Sequence, residues 1–108
     1  MRAVAVAGEL VEGWKPRLGW HFNSFCKDGS LAPDDLWADV LEKRRQLWVL
    51  EDNGDVKAAV LTSVTDDRLQ TAEVTHAAGY DRVLWQHFWP ALEHWARGIG
   101  CKRIRATS

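Results

Sequence analysis

Apolar residues at positions 11, 14, 18, 22 and 25 recur with helical spacing, and the pattern predicts a helix within residues 10 to about 27. Pro16 is tolerated only in a first turn, where its missing N–H costs nothing, so the helix is expected to begin near Val11 or later and to end at Gly29. Residues 2 to 7 ahead of it read as a short strand. A second helix is expected from Pro33, whose fixed φ suits an early helical position, to about Arg45. In it Asp34 and Asp35 complement the helix dipole, while Leu36, Trp37, Val40 and Leu41 face inward. Residues 47–51 and 56–64 are apolar and partly β-branched, and they flank Asn53-Gly54, a pair that accepts positive φ at low cost; this predicts a hairpin. After a polar turn, residues 69–76 alternate as a third antiparallel strand that leads into an Ala77-Ala78-Gly79 loop. Trp85, Phe88, Trp89, Leu92, Trp95 and Ala96 form one apolar face of a helix expected from about Asp81 to Arg97, stopped by Gly98 and Gly100. Residues 102–107 then return as a strand parallel to the third, because a strand-helix-strand crossover joins parallel neighbours.

The expected fold is therefore α+β, verging on α/β: a mixed sheet of antiparallel strands followed by one parallel crossover, with helices packed on both faces. At 108 residues the chain is one domain, residues 1–108, which buries roughly two-thirds of its extended-chain surface on folding. No internal repeat interrupts the order of elements.

Charge and composition narrow the function classes. With 14 basic and 15 acidic residues the net charge is −1, which carries no electrostatic footprint of a nucleic-acid or membrane-surface binder. Lys102, Arg103 and Arg105 make at most a local basic patch. The apolar run of residues 3–7 is too short for a signal-peptide core or a bilayer span, so a cytoplasmic location is expected. Cys26 and Cys101 belong to no CxxC pair and read as buried free thiols. The seven tryptophans are the compositional outlier, and their helical spacing near the C-terminal end points to core packing rather than to a binding platform. His87 and His94 share a helix face without HxxxH or HExxH spacing, so no metal is expected. Ser24, Ser63 and Ser108 lack a nucleophile-elbow context, and no phosphate loop with a following Lys occurs.

The order helix, helix, hairpin, third strand, helix, parallel strand resembles the GNAT superfamily of N-acetyltransferases over nearly the whole chain. Within residues 92–104, Ala96, Gly100 and Ile104 match the family's A-x-x-x-G-x-x-x-I exit from the central helix into the next strand. Leu47-Trp48-Val49 is similar to a strand of small GNAT-like proteins encoded by tailed phages and prophages. The resemblance implies an acyl-CoA N-acyltransferase domain with acetyl-CoA in a cleft between two splayed parallel strands. Val74, Thr75 and His76 would then pair with the pantetheine, while Ala78, Gly79, Tyr80 and Asp81 would hold the pyrophosphate.

Amide N–H groups cradle phosphate only where the backbone comes close, which is why the family loop is glycine-rich and opens with Arg or Gln. Here only Gly79 is present, and Asp81 would place a carboxylate against two phosphates, so the loop reads as degenerate. The family also continues, beyond the position of Ser108, with a further helix and two strands, one of which often supplies a Tyr as general acid. The strand at residues 102–107 is accordingly expected to be an edge that pairs with a second copy or a partner protein. Amine acetylation needs a base to remove an ammonium proton; Glu73, acting through water, and His76, as base or hydrogen-bond donor, are the candidate catalytic residues. The alternative is a non-catalytic GNAT-like phage protein that works as a protein-binding or structural module.

Overall fold

The computed structural model describes residues 2–6, 10–26, 32–64, 70–79 and 85–106. Five strands form one sheet in the order of the chain: β1 (Arg2–Ala5), β2 (Gln46–Asp52), β3 (Asp55–Val64), β4 (Thr71–Gly79) and β5 (Arg103–Ala106). The first three pairings are antiparallel, and β5 runs parallel to β4. The α+β mixed sheet expected from the pattern is the one observed.

The apolar run of β2 explains its central place. Leu47 and Val49 face one side and Trp48 and Leu50 the other, all four buried, so this strand contributes to both cores. On the first side, Phe22, Phe25, Leu36, Trp37 and Val40 pack on Leu61 and Ala78, with Phe22 stacked on Trp37 at 3.8 Å. These side chains come from α2 (Gly19–Phe25), α3 (Pro33–Leu41) and the strands beneath them, and Val11 of α1 (Val11–Trp14) joins the same core. On the second side, Phe88 and Leu92 of α4 (Trp85–Gly98) are buried against Trp48, Val60 and Val74, with Trp89, Trp95 and Ile104 packed around them. Trp48 meets Trp95 edge to face at 5.6 Å and donates its indole N–H to Thr62 Oγ1 at 3.1 Å. The α4 tryptophans Trp89 and Trp95 thus serve the core, as their spacing predicts; the side chain of Trp85 lies outside the described residues.

Local chemistry redrew several boundaries. The long first helix is broken into α1, a 3-10 turn (Lys15–Arg17) and α2, because Pro16 cannot donate an α-helical hydrogen bond and its ring crowds the preceding turn. Its expected end at Gly29 lies outside the described residues. At α3, Pro33 takes the first turn as expected, and Asp35 accepts the Ala32 N–H at 3.2 Å. The helix stops at Leu41, four residues short of Arg45, in a Schellman-type end: Lys43 N–H bonds Val40 O and Arg44 N–H bonds Asp39 O. Asn53 and Gly54 both have positive φ, 51° and 86°, as a type I′ hairpin turn requires.

The expected Ala77-Ala78-Gly79 loop is instead the end of β4. These residues pair with Val60, Ala59 and Ala58, since β3 is long enough to offer partners and small side chains face each other across the pair. Cross-strand pairing overrode the low intrinsic β preference of alanine and glycine. Gly98 is the last residue of α4, one beyond the expected Arg97; the turn itself is made by Gly100 at φ 87°, with Cys101 N–H on Ala96 O. The beginning expected near Asp81, and Thr107 at the end of the last strand, lie outside the described residues. No helix among the described residues is long and apolar enough to cross a membrane.

Candidate functional site

The site grows from an irregularity in β4. Leu61 pairs with His76 but the next residue, Thr62, pairs with Val74, so Thr75 is an extra residue on β4, a β-bulge. A bulge bends its strand and re-aims the side chains on either side. Val74, before it, is buried under α4. His76, after it, turns to the opposite face, where its ring meets Phe25 of α2 edge-on at 5.7 Å.

The bulge is tied to the end of α3 by a chain of polar contacts. Arg45 donates from Nη1 to Thr75 Oγ1 at 2.6 Å and from Nε to Asp39 Oδ2 at 3.0 Å. Arg44 donates from Nε to Asp39 Oδ1 at 2.8 Å. The Thr75 hydroxyl reaches Leu61 O at 3.3 Å, and His76 Nδ1 lies 3.0 Å from Thr75 Oγ1. Hydrogen bonds from Arg45 and then Arg44 hold the Asp39 carboxyl below the usual carboxylate range, so it stays charged and keeps both guanidinium groups in place. Arg45 also lines a cleft of about 380 Å³ that it shares with Lys43, Ser63 and Trp95, away from His76.

Glu73 is placed by the parallel strand. It stands opposite Arg105 in the β4–β5 register and accepts its Nη2–H at 3.1 Å; the Glu73 side chain is 17% exposed and that of Arg105 55%. The described β4–β5 pairing runs from Thr71–Arg103 to Val74–Ala106, whereas β4 itself runs on to Gly79. Beyond Val74, therefore, β4 extends past the described end of its parallel neighbour.

The sequence-predicted residues Glu73, Val74, Thr75 and His76 fall together on the bulged segment. Val74 contributes backbone only, because its side chain is buried beneath α4. Ala78 and Gly79 are strand residues, with Ala78 packed in the α2–α3 core, so they do not form a loop. Tyr80 and Asp81 lie outside the described residues. Sequence reasoning missed Asp39, Arg45 and Phe25. Nothing in the local pattern links Arg45 to a hydroxyl on β4; only the sheet brings them together.

One further histidine belongs to α2. His21 of α2 is 4% exposed, and neither ring nitrogen has a hydrogen-bond partner among the described residues. Burial pushes its pKa below the usual imidazole value. Among the described residues no group of three His, Cys, Asp or Glu is placed to hold a metal ion.

No family model matches the sequence, and no curated protein matches it either. Solved structures do match. A ribosomal-protein-alanine N-acetyltransferase from Brucella melitensis biovar Abortus 2308 aligns with 100% of this chain and 80% of its own, at 9% identity and a TM-score of 0.73. An aminoglycoside acetyltransferase from an uncultured soil metagenomic sample, in complex with sisomicin, aligns over 99% and 76% at 8% identity and a TM-score of 0.75. The aminoglycoside N-acetyltransferase AAC(6')-Iy, bound to a bisubstrate analogue of CoA, aligns over 98% and 78% at 10% identity and a TM-score of 0.69. At such identities the likeness is one of fold: the chain has the fold of the GNAT acetyltransferases.

Proposed function

We propose that this chain is an acyl-CoA-dependent N-acyltransferase whose acyl donor, acetyl-CoA, lies along β4 beyond Val74. The observation that carries this reading is the described pairing of β5 with residues 71–74 of β4, while β4 continues through a bulge to Gly79. A pantetheine arm alternates amide donors and acceptors as a strand does, and residues 75–79 offer an extended edge of roughly 16 Å at the usual strand rise. The donor fits that edge. Its pyrophosphate would sit beyond Gly79, toward Tyr80 and Asp81, where the single glycine of the sequence and the Asp81 carboxylate make a weak phosphate cradle.

When bound, acetyl-CoA supplies a thioester carbonyl as the electrophile. The residues of the chain handle the proton and the charge. His76 takes the proton that the acceptor amine must lose before it attacks. The Glu73 carboxylate, hydrogen-bonded by Arg105, attracts the ammonium form of the acceptor to the same face of β4. Phe25 limits water access to the His76 ring. Acetyl-CoA is expected to raise the melting temperature by several degrees at saturating concentration. The absence of any shift at millimolar ligand would overturn this reading and leave a non-catalytic protein-binding module as the function.

A partner reading follows from the position of β5 at the margin of the sheet, where β4 is its one described neighbour. We propose that the outer edge of residues 102–107 adds a strand from another chain. An antiparallel copy centred on Ile104 would set Arg103 against Arg105, like charges directly opposed, so a partner strand carrying alternate acidic residues fits better than a second copy. Light scattering that gives a strict monomer at micromolar concentration, with no complex on adding an acidic partner strand, would remove the proposal.

A further inference from the structure

We propose that the cleft between the end of α3 and Trp95 of α4 binds a small organic anion, a carboxylate or phosphate monoester joined to an apolar ring. The site stands apart from the acyltransferase reading and holds whether or not an amine is acetylated.

The cleft has a volume of about 380 Å³, within the range of roughly 300–1,000 Å³ that small-ligand pockets occupy. Lys43, Arg44 and Arg45 line it from the end of α3, Ser63 and Val64 from the end of β3, and Trp95 from α4. Every charged residue that lines it, among those described, is a cation. Two carboxylates answer these three cations from outside the cleft: Asp39 accepts from both guanidinium groups, and Glu42 from Arg44. The Lys43 ammonium enters no ion pair or hydrogen bond among the described residues. Glu73 pairs with Ser63 across the β3–β4 ladder, but its carboxylate accepts from Arg105 and it does not line the cleft. The cationic wall therefore carries a positive charge that no described carboxylate answers, and a ligand of opposite sign is favoured there.

Hydrogen-bond capacity points the same way. Of its five N–H groups, Arg44 commits two, to Asp39 and Glu42, and Arg45 commits two, to Asp39 and Thr75. The rest are available to a ligand. The contacts already made hold both guanidinium groups in place, so an anion meets donors that lose little freedom on binding. Their planar forks match the spaced oxygens of a carboxylate or a phosphate.

The remaining lining residues decide between a bare ion and an organic one. The Ser63 hydroxyl and the Trp95 indole N–H have no hydrogen-bond partner among the described residues, and Val64 is 44% exposed. An inorganic ion held by the cations would leave Val64 and the Trp95 ring in water. A ring attached to the anion covers them, which adds apolar burial to the charge interaction.

The test is titration of the full-length ¹⁵N-labelled protein with phenyl phosphate, benzoate, benzamide and inorganic phosphate, read at the tryptophan indole N–H signals in dilute buffer. Trp95→Phe identifies the Trp95 signal. Phenyl phosphate or benzoate is expected to shift that signal saturably with a Kd below about 1 mM, and the tighter of the two assigns the head group. Inorganic phosphate is expected to bind at least about fivefold more weakly than phenyl phosphate, and benzamide, which has the ring without the charge, to give no saturable shift. Lys43→Gly, which suits the positive φ of 64° at that position, is expected to stay folded and to weaken the anion by about threefold or more. Adding Arg44→Gln to it is expected to bring the loss to about tenfold or more. Three results overturn the proposal: no saturable shift with either anion up to about 10 mM, benzamide bound as tightly as benzoate, or an unchanged Kd in Lys43→Gly/Arg44→Gln. None of these readings depends on acetyl-CoA, so failure of the acyltransferase reading leaves the anion site standing.

Discussion

The Glu73 carboxylate accepts a 3.1 Å hydrogen bond from the Arg105 guanidinium across the parallel β4–β5 pair. A carboxylate engaged by a guanidinium has an oxygen lone pair already occupied, whereas His76 Nδ1 meets a neutral hydroxyl, Thr75 Oγ1, which separates the roles of the two catalytic candidates. Steady-state kinetics are expected to show a kcat reduced by about 10² to 10⁴ in His76→Gln, the usual worth of a positioned general base, and by less than about tenfold in Glu73→Gln. The reverse order would make Glu73 the base. Arg105→Met is expected to change unfolding free energy by less than about 1 kcal/mol, since the guanidinium is more than half exposed.

Lys43 occupies the left-handed position at the end of α3, φ 64°, in the same hydrogen-bond pattern that Gly100 occupies at φ 87° after α4. A side chain in that conformation costs about 1 kcal/mol, part of which glycine returns through the entropy of the unfolded chain. Lys43→Gly is therefore expected to stabilise the protein by about 0.5–1 kcal/mol in urea unfolding. Destabilisation would mean that the lysine side chain makes a contribution of its own.

Burial lowers the His21 pKa in the folded protein, whereas the unfolded chain titrates near the ordinary value of 6.5. Below that pH the unfolded state binds the proton first, so stability is fully present above about pH 6.5 and falls as pH drops toward the folded-state value. His21→Leu removes the proton and the two unpartnered ring nitrogens together. It is expected to be as stable as the parent or more so near pH 7 and to flatten the loss between about pH 7 and 5, read as urea midpoints across that range.

Pro90 sits inside α4, exposed to solvent, where it removes the N–H that would bond Gln86 O. An interior proline costs a helix roughly 3 kcal/mol, offset in part by about 0.4–1 kcal/mol of unfolded-state entropy. Pro90→Ala is expected to raise stability by about 2 kcal/mol. A loss of acetyl-CoA binding in the same variant would show that the proline shapes the start of the helix.

Patterns of period two and 3.6 carried much of the architecture by themselves. The buried faces of β2 and α4, the Asn53-Gly54 turn and the parallel return of β5 follow from side-chain spacing and turn chemistry, which act over a few residues. Leu47-Trp48-Val49 is accounted for by burial on both faces of a central strand. The chain also marked Glu73, Thr75 and His76 as one neighbourhood. It did not mark the bulge at Thr75, the extension of β4 through Ala78 to Gly79, or the reach of Arg45 from the end of α3 to a hydroxyl on β4. Each of those depends on which backbone lies alongside and at what register, and register is set by pairing between segments far apart in the chain. Local propensity has no access to that choice; packing of the whole sheet makes it.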